Sequence, residues 1–349
     1  MTASNPPDTS DVDHHADALF ADIIDAVPDA AARRHARQLL RAAVDLVEQH
    51  PSTLDLKIAA SAVQELGDAY AMFAHALPDP KVTIFGSART RRDDPLYAAA
   101  VDVARRLAAE GWMVVTGAGP GIMEAGMEGA GRERSIGVSI RLPFEQSANP
   151  VIAGDSKYVS MKYFFTRKLM LVKESRGFVC LPGGFGTLDE TFELLTLVQT
   201  GKGAPVPIVL LDVPGDPYWE TVDSFIREQL VARGLAAPAD LHLYRITEDC
   251  AEAAAEIIGF YRNYDSLRYV GETLVLRLRH SPNAEQLALL NQRFGHLCAR
   301  GTIRAVEAFA PERREHDALD LHRIAFEFAK HGYGDLREMI DVCNSFVED

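Results

Sequence analysis

From Lys81 the chain alternates short apolar runs with segments of helical periodicity: KVTIF, LYAAAVDVARRLAAEG, WMVVTG, IMEAGMEGAG and SIGVSI follow one another with few connecting residues. A strand apolar along its whole length is buried on both faces, and a helix between two such strands lets them run parallel. The rhythm continues through KYVS, MKYFFTRKLMLVKES, GFVCLP, TFELLTLVQT, PIVLLD and a helix around Trp219 to Val231. These elements predict an α/β fold, a Rossmann-like doubly wound parallel sheet covered by helices on both faces. Ligands of such sheets bind beyond the carboxyl ends of the strands. Three glycine-containing loops fall at those ends: FGSART, TGAGPGIMEAG and PGGFGT.

The flanks read differently. Residues 1–15 are polar and aperiodic and are expected to form a disordered tail. Residues 16–79 carry helical spacing, as in Leu39, Leu40, Ala43, Leu46 and Val47, and predict an N-terminal helical segment. The Rossmann-like nucleotide-binding unit is expected over 80–265. A linker, NYDSLRYVGE, then leads into a small α+β appendage over 270–349, with TLVLRLR, NAEQLALLNQRFGHLCAR, TIRAVEAF, LHRIAFEF and DLREMIDVCNSF in a βαββα order.

Charge narrows the ligand. The 349 residues hold 36 Lys plus Arg against 50 Asp plus Glu, and the net charge of -14 disfavours nucleic acid and anionic membrane surfaces as partners. The N-terminus lacks the basic start and apolar run of a signal peptide, and no stretch approaches a membrane span, so a cytoplasmic location is expected. Cys180, Cys250, Cys298 and Cys343 are widely spaced and read as reduced core thiols. His242, His280, His296, His316, His322 and His331 show no ligand spacing and read as structural or exposed, and the pair His14 and His15 lacks further ligands, so no metal and no cofactor are expected. Phe164 and Phe165 are expected in the core.

The loop LPGGFGTLDE lies between a buried strand and a helix. A glycine-rich turn there presents backbone N–H groups at a positive helix end, a seat for phosphate. It is no Walker loop, because the GK[ST] element is missing, and TGAGPG departs from GxGxxG, with Ile122 where the third glycine would stand. ATP hydrolysis and NAD binding are therefore disfavoured.

The segment TRKLMLVKESRGFVCLPGGFGTLDETFELLT resembles the paired RK and PGGxGTxxE motifs of the LOG ("Lonely guy") family of phosphoribohydrolases, and FGSAR, TGAGPGIMEA and SIGVSIRLPFEQSAN are similar to its longer bacterial members. The resemblance covers about Lys81 to Arg262. It implies hydrolysis of the N-glycosidic bond of a nucleoside 5′-monophosphate, AMP-like or a cytokinin riboside 5′-monophosphate, giving free base and ribose 5-phosphate. It also implies a homodimer or higher homo-oligomer.

By position, the resemblance implies catalytic roles for Glu190 and Arg167. A carboxylate suits the oxocarbenium-like transition state of such a cleavage, and a guanidinium fork suits it to orient that carboxylate. The charge of Arg167 is expected to lower the pKa of Glu190 and keep it ionised. Substrate contacts are implied for Ser87, Gly119, Met123, Glu124, Met161, Gly183, Gly184, Gly186 and Thr187, with Arg89 a further pocket residue. Lys168 faces phosphate or solvent. Asp189 and Glu193 are helix acids near the positive end, and Glu193 falls on the face of Glu190, within reach of the ribose. A nucleotide-sensing protein without turnover is the rival reading. A lysine decarboxylase is a third, for which no Schiff-base lysine stands out.

Overall fold

The computed structural model describes residues 20–75, 78–141 and 148–347. The expected tail, with His14 and His15, and the middle of SIGVSIRLPFEQSAN lie outside them. The chain divides into two compact units, Met1–Gly67 and Asp68–Asp349. The first carries helix α1 (Ala30–Glu48), whose start is capped by the Asp29 carboxylate accepting from the Ala32 N–H at 2.6 Å. Helix α2 (Thr53–His75) begins there, with Ser52 and Asp55 hydrogen-bonded across its first turn, and runs on into the second unit.

The second unit is built on β1 (Lys81–Phe85), α3 (Pro95–Ala109), β2 (Met113–Thr116), α4 (Ile122–Ala130), β3 (Ser135–Ile140), β4 (Tyr158–Met161), α5 (Phe164–Lys173), β5 (Gly177–Cys180), α6 (Phe185–Gln199), β6 (Ile208–Leu211), α7 (Tyr218–Phe225), β7 (Arg245–Thr247) and α8 (Cys250–Gly259). The seven strands form one sheet in the order β4-β3-β2-β1-β5-β6-β7, every pair parallel. The expected doubly wound sheet is thus present. Val82, Ile84, Val114, Val179 and Val209 fill its centre against Val103, Ala104 and Leu107 of α3 and Ala253 and Ile257 of α8. The winding reverses between β1 and β5, so the loops after these two strands splay apart and open a crevice.

The remainder is β8 (Tyr264–Val270), β9 (Thr273–Leu278), α9 (Ala284–Phe294), β10 (Cys298–Ala305), α10 (Ala310–Glu315), β11 (His322–Phe328) and α11 (Tyr333–Asn344), with an antiparallel sheet ordered β10-β11-β9-β8. The α+β appendage is there, but its first strand is the segment expected to be a linker. Val270 pairs with Thr273 across a two-residue turn in which Gly271 has φ 61°, so Tyr264–Val270 is held as a hairpin partner of β9. The chain between β10 and β11 also forms helix α10. The Asn344 side chain joins α11 to the β8 start, accepting from the N–H groups of Asn263 and Tyr264 at 3.0 and 2.8 Å.

The expected helix over Trp219–Val231 is α-helical only to Phe225 and widens into a π-turn over Ile226–Val231. All four cysteines are free, Cys180 and Cys343 buried and the other two half-buried. Among the described residues no helix is long and apolar enough to cross a membrane.

Candidate active site

The crevice is a cleft of about 1130 Å³ whose lining includes the loops after β1, β2 and β5. Backbone contacts lace these loops together. The Ser87 N–H donates to Pro182 O at 3.3 Å, and the Ile122 N–H donates to Ser87 O at 3.0 Å. Gly121 has φ 68°, and a Cβ there would meet Ser87 O at 2.3 Å, so glycine is required by both conformation and space. At the PGG turn, the Tyr218 hydroxyl donates to Gly183 O at 2.7 Å. A Cβ on Gly183 would lie 2.1 Å from Thr187 Oγ1.

Helix α6 starts on this turn, capped by Gly184, and its first intrahelical bond of this end runs from the Leu188 N–H to Gly184 O. The N–H groups of Phe185, Gly186 and Thr187 have no acceptor within the helix and stand at its positive end beside the cleft, where an anion is stabilised. Gly183, Gly184, Phe185, Gly186 and Thr187 all line the cleft.

One turn further, Glu190 lines the same cleft and is 6% exposed. Arg167 reaches it from α5, with Nη1 3.7 Å from Glu190 Oε1, while its Nε donates to Val138 O at 3.1 Å. Glu190 Oε2 is buried with no hydrogen-bond partner among the described residues. Burial pushes the Glu190 pKa up to about 7; the charges of Arg167 and Lys168 oppose this, and those of Glu193 and Asp189 add to it. The charge of Arg167 lowers this pKa as expected, but burial outweighs it, so the net shift is upward and the carboxylate is not held fully ionised. At 3.7 Å, without a bidentate bond, the guanidinium attraction does not offset removal of the carboxylate from water.

Of the other expected residues, Ser87, Arg89, Gly119 and Met123 join Asp189 in the lining. Glu124 turns away and bonds Arg92 at 2.7 Å. Met161, at the end of β4, is fully buried among the core residues and does not reach the cleft. Lys168 and Glu193 pair at 2.5 Å, with Asp189 at 2.8 Å from the same ammonium, and line a separate groove of about 840 Å³ with Phe165, Leu169, Val172, Phe185 and Phe192. Glu193 thus shares a helix face with Glu190 without sharing its cleft. Phe164 and Phe165, expected in the core, are about half exposed, at 54% and 55%, because the first turn of α5 projects at the mouth of the cleft.

The lining also includes Ser139 and Ile140 at the end of β3, Arg141 just after it, Tyr158 and Ser160 of β4, Phe164 and Tyr218. Ser139 Oγ lies 2.8 Å from Tyr158 OH, and Arg141 donates to Ser160 O at 3.0 Å. Ser139, Ile140 and Arg141 stand in SIGVSIRLPFEQSAN at the carboxyl end of β3, where a ligand loop is expected; Tyr158, Ser160 and Tyr218 carry no such signal. Among the described residues, the lining offers carboxylates but no histidine or cysteine. An anion seat, a buried carboxylate with a free oxygen and a guanidinium beside it can together hold an anionic ligand and stabilise positive charge growing next to it.

A family model described as "Possible lysine decarboxylase" matches residues 120–257. A probable cytokinin riboside 5′-monophosphate phosphoribohydrolase of Oryza sativa subsp. japonica, LOGL3, is 33% identical over 158 residues, 44% of this chain and 69% of its own length. A second, LOG6 of Arabidopsis thaliana, is 32% identical over 149 residues, 42% of this chain and 71% of its own. Among solved structures, the molybdenum cofactor carrier protein of Chlamydomonas reinhardtii is 20% identical and covers 52% of this chain and 96% of its own at a TM-score of 0.36, too loose a likeness to bear on function. With Arg167 of the RK pair and the glycine turn and Glu190 of PGGxGTxxE gathered in one cleft, and a third of the aligned residues identical to LOGL3, the chain belongs to the LOG family.

Proposed function

We propose that the protein hydrolyses the N-glycosidic bond of nucleoside 5′-monophosphates, cytokinin riboside 5′-monophosphate or AMP-like, to free base and ribose 5-phosphate. The observation that carries the proposal is the approach of Arg167 to Glu190 in the wall of the cleft whose floor holds the first amides of α6. The 5′-phosphate sits on the N–H groups of Phe185, Gly186 and Thr187. The ribose then lies near Glu190, one helical turn on. As the bond to the base breaks, positive charge grows on the sugar, and the buried carboxylate stabilises it more strongly than water would. Arg167 orients Glu190 and balances its charge. The base extends toward Ser139, Tyr158 and Arg141.

The likeness to the rice and Arabidopsis relatives, probable cytokinin riboside 5′-monophosphate phosphoribohydrolases, supports this chemistry. The apolar groove beside the cleft supports self-association: Phe165 and Leu169 are exposed, and Phe185 is 93% exposed, a surface more fitted to a second copy of the chain than to water.

Purified protein incubated with AMP, GMP, CMP and isopentenyladenosine monophosphate, with products separated by chromatography, tests the reading. Free base released by the wild type and abolished in Glu190→Gln and Arg167→Ala supports it. Nucleotide binding without release defeats it in favour of a sensor, and carbon dioxide evolved from lysine in place of base release defeats it in favour of a decarboxylase.

A further inference from the structure

Far along the chain from the motif residues, three segments converge where the appendage meets the parallel-sheet domain. His242 lies in the last turn of the 3₁₀ segment Pro238–Leu243, and it faces Asp335 and Glu338, one turn apart on α11. One ligand-capable atom from each of the three lies within 4.8 Å of the other two. His242 Nδ1 is 3.7 Å from Glu338 Oε2, and His296, from the turn before β10, brings Nε2 within 3.0 Å of Asp335 Oδ2. We propose that His242, Asp335 and Glu338 bind a divalent transition metal of the zinc class, and that the ion clips α11 to the Pro238–Leu243 segment.

The donor chemistry selects the ion. Imidazole nitrogen with carboxylate oxygen suits zinc and its neighbours, whereas magnesium and calcium call for oxygen alone. The Arg293 guanidinium bonds Glu338 Oε1, which leaves Oε2 turned toward His242 and orients the carboxylate from behind, as outer groups do at metal sites. His242 and Glu338 also border a cavity of about 400 Å³, room for a water as a further ligand. As bare ion pairs on a partly exposed surface, the same contacts would add little to stability. Read as separate histidines in sequence, His242 and His296 carried no ligand spacing because the fold, and not the chain, sets their distance.

The test uses the full chain dialysed against a chelator, titrated with zinc chloride by calorimetry and melted with and without the ion. His14 and His15 are another source of imidazole, so His14→Ala/His15→Ala is compared with His242→Ala and Glu338→Gln. The expected result is one equivalent of zinc in the wild type and the tail variant, and a rise in melting temperature on adding it. Affinity falls about tenfold or more in His242→Ala and in Glu338→Gln, and the thermal shift disappears. Equal zinc binding by wild type and His242→Ala, loss of it in the tail variant, or equally tight magnesium binding would each overturn the proposal.

Discussion

The guanidinium of Arg167 occupies the space a side chain on Gly117 would need. A Cβ built at Gly117 lies 2.3 Å from Arg167 Nη2 and 2.7 Å from Met123 Sδ. Both obstacles are the far ends of flexible side chains, so Gly117→Ala is expected to fold and to push Arg167 off its position beside Glu190. Displacement of a catalytic charge by about 1 Å can lower the rate on the order of 100-fold. Steady-state kinetics on the best nucleotide substrate, with a thermal melt alongside, checks it: an unchanged melt with a large loss of kcat is expected, and an unchanged kcat would show that Arg167 is not needed where it sits.

Glu190 sets a pH dependence whose sign follows from its burial. Its carboxyl is raised from 4.5 to about 7 in the folded protein, so the native state holds a proton that the unfolded state has released over that interval. Stability is therefore lost as pH climbs from about 4.5 to about 7, and the full cost, on the order of 3 kcal/mol for a shift of this size, remains above that. Glu190→Gln removes the cost. Urea unfolding should find the variant more stable than wild type at pH 8 and close to it at pH 4. In the wild type, the ionised form does the proposed work, so kcat/KM should fall below an apparent pKa near 7. A flat acid limb down to pH 5 would contradict that role.

These two relationships mark where sequence stops being legible. The parallel sheet could be read because strands such as MVVT and IVLL are buried on both faces and carry no polar residue to confuse the period, apart from a terminal threonine. Strand β8, Tyr-Asp-Ser-Leu-Arg-Tyr-Val, is half-buried at the rim of the small sheet and looks like polar linker until its hairpin partner is known. Glu190, Arg167 and the glycine turn could be read because the motif places them within one strand–turn–helix and the helix before it. The protonation state of Glu190 could not, since burial is a property of the whole cleft wall. Nor could the separation of Glu193 from Glu190, which depends on which neighbour, Lys168 or Arg167, each carboxylate meets.

Tyr218 braces the PGG turn, donating to Gly183 O at 2.7 Å. Its removal in Tyr218→Phe deletes one hydrogen bond worth about 1 kcal/mol, and KM is expected to rise about fivefold with kcat nearly kept. Gly183→Ala should be worse. Its Cβ would lie 2.7 Å from Thr187 Cβ and 3.1 Å from the Ser87 N–H, atoms that cannot swing aside, so the turn itself must move. Inhibition by ribose 5-phosphate reads the same contacts without catalysis, and equal inhibition of wild type and both variants would refute a phosphate seat at this turn.

The groove lined by Phe165, Leu169, Val172, Leu188 and Phe192 gives the last prediction. Phe165 and Leu169 lie on α5 outside the lining of the cleft, and both are about half exposed in the single chain, so a charge placed there disturbs little of the fold. If two copies cover this surface, Leu169→Glu buries two like charges face to face without partners, which costs more than a typical interface contact contributes. Light scattering after size exclusion should find an oligomer for the wild type and a monomer for Leu169→Glu at the same concentration. Because α5 also carries Arg167, the variant's base-release rate indicates whether pairing supports the cleft: a monomer with full activity would separate the two, and identical masses for both proteins would remove self-association from this face.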